Sequence, residues 1–186
     1  MNLKNQIESY IPYNEQEEID KRVMLKFIDT FSDVLTRNNE IGHFTTSAWV
    51  VNKEKTKILM IYHNIYQSWA WIGGHADGEE NLESVIRREI EEETGLKNIK
   101  SLKDGIYGIA VLTVDPHIKR DKYINSHLHF DVQYIFEASE DEILRVKPDE
   151  NSGVKWISIE KVVESTSENK MKPIYQKLID KMVLED

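Results

Sequence analysis

The chain has 186 residues, a hydrophobic share of 40% and a net charge of −9, from 33 acidic against 24 basic residues. That length suits one domain with an appendage and the apolar share is enough for a core, while so acidic a chain is not expected to bind nucleic acid nonspecifically. With no cysteine, disulfides and thiolate metal sites are excluded; no apolar run approaches the length of a membrane span and no signal peptide is visible in MNLKNQIESY, so no membrane partner and a cytoplasmic location are expected.

Residues 1–40 are expected to form an N-terminal helical extension, and residues 41–186 the main domain. Leu3, Ile7, Tyr10 and Ile11 share one helical face before Pro12 interrupts. Asn14, followed three residues later by Glu17, has the form of a capping box. After it Ile19, Val23, Phe27, Phe31 and Leu35 recur every four residues, with Met24, Ile28 and Val34 alongside, as in an amphipathic helix. With no Gly-, Pro- or Ser-rich linker behind it, this helix should pack against the main domain; a homodimer contact or a wall of the substrate pocket is the functional alternative.

HFTTSAWVVN and KILMIYHN read as strands around the turn-like NKEKT. SWAWIGG leads into a loop marked by Gly73-Gly74 and Asp77-Gly78, and Trp69, Trp71 and Tyr66 are as well placed for the core as for stacking on a base. Asn81 is the expected N-cap of the next helix and Gly95 its left-handed C-cap. In that helix, at about 100° per residue, Leu82, Val85, Ile86 and Ile90 form an apolar stripe, while Glu83, Arg87 and Glu91 form a solvated row opposite. Glu89 and Glu93 fall between the apolar positions and Glu92 at their edge, so these carboxylates point toward the protein. A carboxylate so placed costs several kcal/mol unless its charge is compensated. An ion-pair network around Arg88 is one solution, but one arginine does not neutralise three glutamates. A hard divalent cation, Mg²⁺ or Mn²⁺, does, and prefers oxygen ligands.

Beyond the helix, DGIYGIAVLTV reads as a strand, DPHIKRDKYINS as a polar excursion and HLHFDVQYIFEA as a clear strand. Its apolar residues Leu128, Phe130, Val132, Tyr134 and Phe136 alternate with a row beginning His127, His129 and Asp131. That row suits contacts to substrate; zinc binding and plain solvent exposure are the alternatives. VKWISI is a further strand, and a final helix carries Ile174, Leu178, Ile179, Met182 and Val183 on one side.

Gly74, Glu80, Arg88, Glu89, Ile90, Glu92, Glu93, Gly95 and Leu96 fill every specified position of the pattern G-x5-E-x7-R-E-U-x-E-E-x-G-U, with U a bulky aliphatic. On that motif the chain resembles the Nudix hydrolases. It departs in carrying Ile72 where many members have proline before the two glycines. The resemblance implies a Nudix-type α/β/α sandwich with a mixed sheet, here with the N-terminal helical extension. It further implies hydrolysis of a pyrophosphate linkage in a nucleoside diphosphate joined to another group, a small-molecule substrate. Glu89, Glu92 and Glu93 would be the main ligands of Mg²⁺ or Mn²⁺, Gly74 would add its carbonyl, Glu80 would lie near the metal, and Arg88 would orient a carboxylate. Family members often supply one more acid from a later loop; Glu150 is the candidate in KPDENSGVKW, with Glu140, Asp141, Glu142 and Asp149 as competitors. The principal rival is a Nudix module that binds a nucleotide without cleaving it, which would be expected to lose part of the motif. An isopentenyl diphosphate isomerase would need a cysteine. A calcium-binding or purely structural acidic helix leaves the spaced glycines unexplained.

Overall fold

The structure, a computed structural model, describes residues 2–119 and 121–184. Arg120, within the polar excursion, and Glu185 and Asp186, at the end of the main domain, lie outside the described residues. Among the described residues there are five helices, α1 (Leu3–Ser9), α2 (Glu15–Thr30), α3 (Leu82–Thr94), α4 (Ile159–Ser165) and α5 (Lys172–Leu184). The strands are β1 (Gly42–Val51), β2 (Lys57–His63), β3 (Ser68–Ala70), β4 (Ile72–His75), β5 (Ile99–Ser101), β6 (Gly108–Val114), β7 (His117–Lys119), β8 (Lys122–Ile124), β9 (His127–Ala138) and β10 (Asn151–Ser158). The fold is α/β on a large mixed sheet of hydrogen-bonded order β10-β2-β1-β9-β5, with β3 on β2, β4 on β1 and β6 on β9. The polar excursion holds a hairpin of its own, β7 with β8. By compactness the chain falls into two units, one of residues 1–46, 74–85 and 105–133, the other of residues 47–73, 86–104 and 134–186.

In the first unit β6 pairs with β9 in antiparallel register from Gly108↔Gln133 to Val114↔His127. Helix α2 supplies partners for the backbone of β6. Glu17 accepts from the Ile109 N–H at 3.3 Å and Asp20 from the Val111 N–H at 2.8 Å, while Gln16 donates to the Ile109 carbonyl at 3.2 Å. Side chains thus do for this strand what a further strand would do, which is one way to close a sheet edge. Glu17 is fully buried and also accepts from the Tyr10 hydroxyl at 2.5 Å and the Tyr13 N–H at 2.8 Å. Asn14 caps α2 by accepting from the Glu17 N–H at 3.1 Å. The extension packs on part of the expected apolar face, with Phe27 and Met24 buried. Ile19 and Val23 are 43% and 40% exposed, and the buried positions are Glu17, Met24 and Phe27. A spacing of four drifts about 40° per step around a helix, so the Ile19–Val23 row winds off the face that Met24 and Phe27 share with the polar side chains. The helix ends at Thr30, and α1 ends at Ser9, which leaves Ile11 84% exposed, off the face it was expected to join.

The second unit is built on β2, paired antiparallel with β10 from Asn151↔His63 to Ser158↔Lys57. Its core holds Trp49, Ile58, Leu59 and Met60, with Tyr175 of α5 packed against Trp49 and Trp71 at centroid distances of 5.7 and 5.4 Å. Trp69 is flanked by Tyr62 and by the Lys155 ammonium, 4.0 Å from its ring. Both tryptophans are therefore packed, while Tyr66 is exposed. On α5, Tyr175, Leu178 and Met182 are buried but Val183 is 66% exposed, outside the expected apolar side.

Glu17→Ala removes an acceptor shared by three donors, and urea unfolding should show a loss of roughly 2–4 kcal/mol, the scale of a buried charged hydrogen-bond centre. Glu18→Ala, exposed one residue on, should change stability little; equal losses would contradict the edge-capping role of Glu17.

Candidate active site

Helix α3 begins where Asn81 accepts from the Ser84 N–H at 3.2 Å. Leu82, Val85, Ile86 and Ile90 are each at most 1% exposed, the stripe expected from the sequence. Burial of each is worth about 1.5–3 kcal/mol, which fixes the rotation of the helix and hence the direction of its carboxylates. The opposite row is less solvated than expected. Arg87 lies 4.7 Å over the Phe136 ring and donates to the Ser101 hydroxyl. At the helix end Gly95 has φ +79°, and a Cβ there would come within 3.2 Å of the Arg145 side chain.

The segment before β10 is fastened to this helix end. The Arg145 N–H donates to the Thr94 carbonyl at 2.8 Å. Asn151, fully buried, donates from its side chain to the Glu93 carbonyl at 3.0 Å and accepts from the Lys147 N–H at 3.2 Å. The Glu150 carbonyl accepts from the Asn64 N–H at 3.0 Å, so β2 holds the same turn. These bonds bring Glu150 beside α3. One ligand oxygen from each of Glu89, Glu93 and Glu150 lies within 4.8 Å of the others. Lys147 bridges the rim, its ammonium 3.0 Å from Glu92 and 3.1 Å from Glu150. Glu92 is thus exposed and paired with Lys147, and Arg88 is exposed on the same helix. Lys147 and Asn151 are positioning residues that sequence reasoning missed. A lone lysine and a lone asparagine in a polar loop carry no periodicity that would have marked them.

Glu93 is 4% exposed, and its Oε2 is buried with no hydrogen-bond partner. Burial first, and then the charges of Glu89 and Glu150, push its carboxyl up to about 9. Glu89 is also raised, again chiefly by burial, against the opposing pull of Lys147. A buried anionic oxygen facing two more carboxylates is an arrangement that a hard divalent cation satisfies. By donor set and spacing, these residues fit Mg²⁺ or Mn²⁺.

The other expected site residues belong to the first unit. Gly74 is in β4, and Glu80 is exposed in the loop before α3. Asp131 is buried and accepts from the Thr45 hydroxyl at 2.9 Å and the Gln133 amide at 3.2 Å. His127 and His129 meet, Nε2 to Nε2, at 3.3 Å. Two further histidines join them that the sequence reading did not include. The His43 ring lies 5.0 Å from those of His127 and His129 and 5.1 Å from that of His75, and the His75 and His129 rings are 4.9 Å apart. Burial and the neighbouring His75, His43 and His127 push the His129 imidazole down to about 2; His43 is lowered too, first by burial. Four residues from three strands leave no local spacing in the sequence by which to find them.

A family model for the NUDIX domain matches residues 42–180. The chain belongs to the NUDIX domain family and is by class a pyrophosphohydrolase acting on nucleoside diphosphate derivatives. Solved structures share the fold. A NUDIX-family hydrolase from Clostridium perfringens is 21% identical with a TM-score of 0.52, over 77% of this chain and 98% of that one. An Ap4A hydrolase from C. elegans is 14% identical with a TM-score of 0.55, over 75% and 97%. The NUDIX domain of Shewanella oneidensis NrtR, solved with ADP ribose, is 16% identical with a TM-score of 0.54, over 86% and 96%. No curated protein sequence matches the chain. No helix among the described residues is long and apolar enough to cross a membrane.

The raised carboxyl of Glu93 has a consequence for the metal-free protein. An unfolded glutamate titrates near the ordinary range, about 4.3, so between there and about 9 the folded chain holds a proton that the unfolded chain has released. The resulting stability is full below the ordinary range and is lost as pH rises through the folded value. Urea midpoints of EDTA-treated protein should therefore fall between about pH 5 and pH 9, and Glu93→Gln should flatten the profile. Parallel profiles for the two proteins would contradict the assignment.

Proposed function

We propose that this protein hydrolyses the pyrophosphate linkage of a nucleoside diphosphate joined to a second group, using Mg²⁺ or Mn²⁺ held by Glu89, Glu93 and Glu150. One observation carries the reading: three carboxylates converge within 4.8 Å, and one of them has a buried oxygen without a partner. When bound, the cation supplies charge to the phosphate oxygens and lowers the pKa of a water. Glu92 is the fourth carboxylate of the set, available when Lys147 turns to the substrate.

The remaining roles belong to the chain's own side chains. Glu150 takes the proton from the attacking water, a role suited to an acid on a turn rather than in the buried wall. Lys147 and Asn151 hold that turn against the end of α3, so Glu150 is placed before substrate arrives. The Lys147 ammonium, 3.1 Å from Glu150, suits a phosphate oxygen. Arg88 orients the Glu89 carboxylate, its charge opposing the upward push of burial on that acid. The C. elegans Ap4A hydrolase and the Shewanella oneidensis domain solved with ADP ribose suggest dinucleoside polyphosphates and nucleoside diphosphate sugars as the first substrates to try.

Products from a panel of such compounds, identified by mass spectrometry, test the reaction. Hydrolysis should stop with EDTA and return with Mg²⁺. In single turnover, Glu89→Gln and Glu93→Gln should slow the chemical step by roughly 10²–10⁴-fold, as should Glu150→Gln. Glu91→Gln, on the exposed row, should cost little. Nucleotide binding without any product would favour the sensing alternative, and equal losses at Glu91 and Glu93 would refute the site.

A further inference from the structure

Four of the chain's six histidines, His43, His75, His127 and His129, meet in the first unit. Ligand nitrogens of His43, His75 and His129 lie within 4.8 Å of one another. We propose that these four histidines form a binding site for a divalent transition-metal cation of zinc type, distinct in ligand chemistry from the carboxylates of α3.

Imidazole nitrogen is a borderline ligand that suits zinc, cobalt, nickel, copper and iron, whereas magnesium prefers oxygen. The tautomers are already set. His43 Nδ1 faces the Asn39 carbonyl at 3.4 Å and His127 Nδ1 faces the Asn125 carbonyl at 2.8 Å. A carbonyl takes the proton of the ring nitrogen it faces, so in each ring Nε2 keeps its lone pair. A second-shell carbonyl on the far ring nitrogen is the usual support of a metal-bound histidine. His43 is 5% exposed, and its Nε2 is buried with no hydrogen-bond partner. Leaving such an acceptor buried and unoccupied opposes folding.

The spacing also fits. Two nitrogens on one tetrahedral zinc, with bonds of about 2.0–2.1 Å, stand about 3.4 Å apart. His127 Nε2 and His129 Nε2 are 3.3 Å apart. The nitrogens of His43, His75 and His129, already within 4.8 Å of one another, close on a shared cation by side-chain rotation. In the metal-free cluster the His129 Nε2–H points at the His127 Nε2 lone pair; binding a cation at His129 Nε2 requires the other neutral tautomer, with that proton carried on Nδ1 and no net proton released. The Asp77 carboxylate, paired with Arg37, lies close enough to act on His43, and buried Asp131 lies two residues beyond His129 on the same face of β9. The same imidazoles that suggest substrate contacts in the sequence act here as metal ligands.

The inference does not rest on the hydrolase reading, and its test needs no substrate. Full-length, tag-free protein stripped with EDTA is titrated with Co²⁺ in millimolar Mg²⁺, followed by visible absorption. Zn²⁺ is then added and bound metal is counted by elemental analysis. The expected result is about one Co²⁺ per chain with the intense bands of a tetrahedral site, displaced by Zn²⁺. His129→Gln should weaken binding by roughly 100-fold or more, beyond the loss of an outer-shell partner. Glu93→Gln should bind as the wild type does. Absence of tetrahedral bands, unchanged affinity in His129→Gln, or loss of binding in Glu93→Gln would each overturn the proposal. Near-ultraviolet circular dichroism checks folding. If His129→Gln does not fold, the half-buried His127→Gln decides, and a loss below roughly 10-fold there sinks the site.

Discussion

A glutamate held almost out of water at the end of a helix, facing two other carboxylates, is the constraint around which the second unit is organised. Glu93 cannot be there as an isolated anion; desolvation and like charge both oppose it. The structure meets this in three ways. Lys147 brings a positive charge to the rim through Glu92 and Glu150. Asn151 fastens the turn that carries Glu150 through the Glu93 carbonyl, so the backbone beside the acid is fixed even though its Oε2 is not. The raised carboxyl lets the metal-free protein hold a proton where the holo enzyme would hold a cation. Each is a way of keeping a costly arrangement intact until a divalent ion relieves it.

The first unit buries polar groups for a different end. Glu17, Asp20 and Gln16 of α2 satisfy the backbone of β6, and the face of β9 that carries His127, His129, Asp131 and Gln133 is lined by Thr45 and His43 of β1. Oxygen donors gather in one unit and nitrogen donors in the other. By hard and soft preference, two such groups would favour different cations from the same solution.

Much of α3 was legible in the sequence because one periodicity and two caps determine it. Leu82, Val85, Ile86 and Ile90 needed only the helical repeat, and Asn81 and Gly95 only local backbone chemistry. The family pattern depends on the same short-range spacing. Helix α2 is only partly legible because its buried face is partly polar: Met24 and Phe27 follow the hydrophobic spacing, but Glu17 and Asp20 face a strand edge and Ile19 and Val23 lie outward. Arg87 was placed in solvent because its ring contact, Phe136, is remote in sequence. The Lys147–Asn151 turn and the pairing of His43 and His75 with β9 likewise depend on contacts between distant residues. A strand pattern gives the facing of His127 and His129, but not which residues stand opposite.

Mn²⁺ binding to the substrate-free protein, measured as loss of the free-ion electron paramagnetic resonance signal, tests the central claim most directly. The account predicts carboxylate-dependent binding weakened at least roughly 10-fold when Asn151→Ala releases the turn carrying Glu150, the scale of a lost second-shell support, and weakened further by Glu93→Gln. Wild-type affinity in both variants would contradict it, because the buried carboxylate and the turn that completes its site would then play no part in holding the cation.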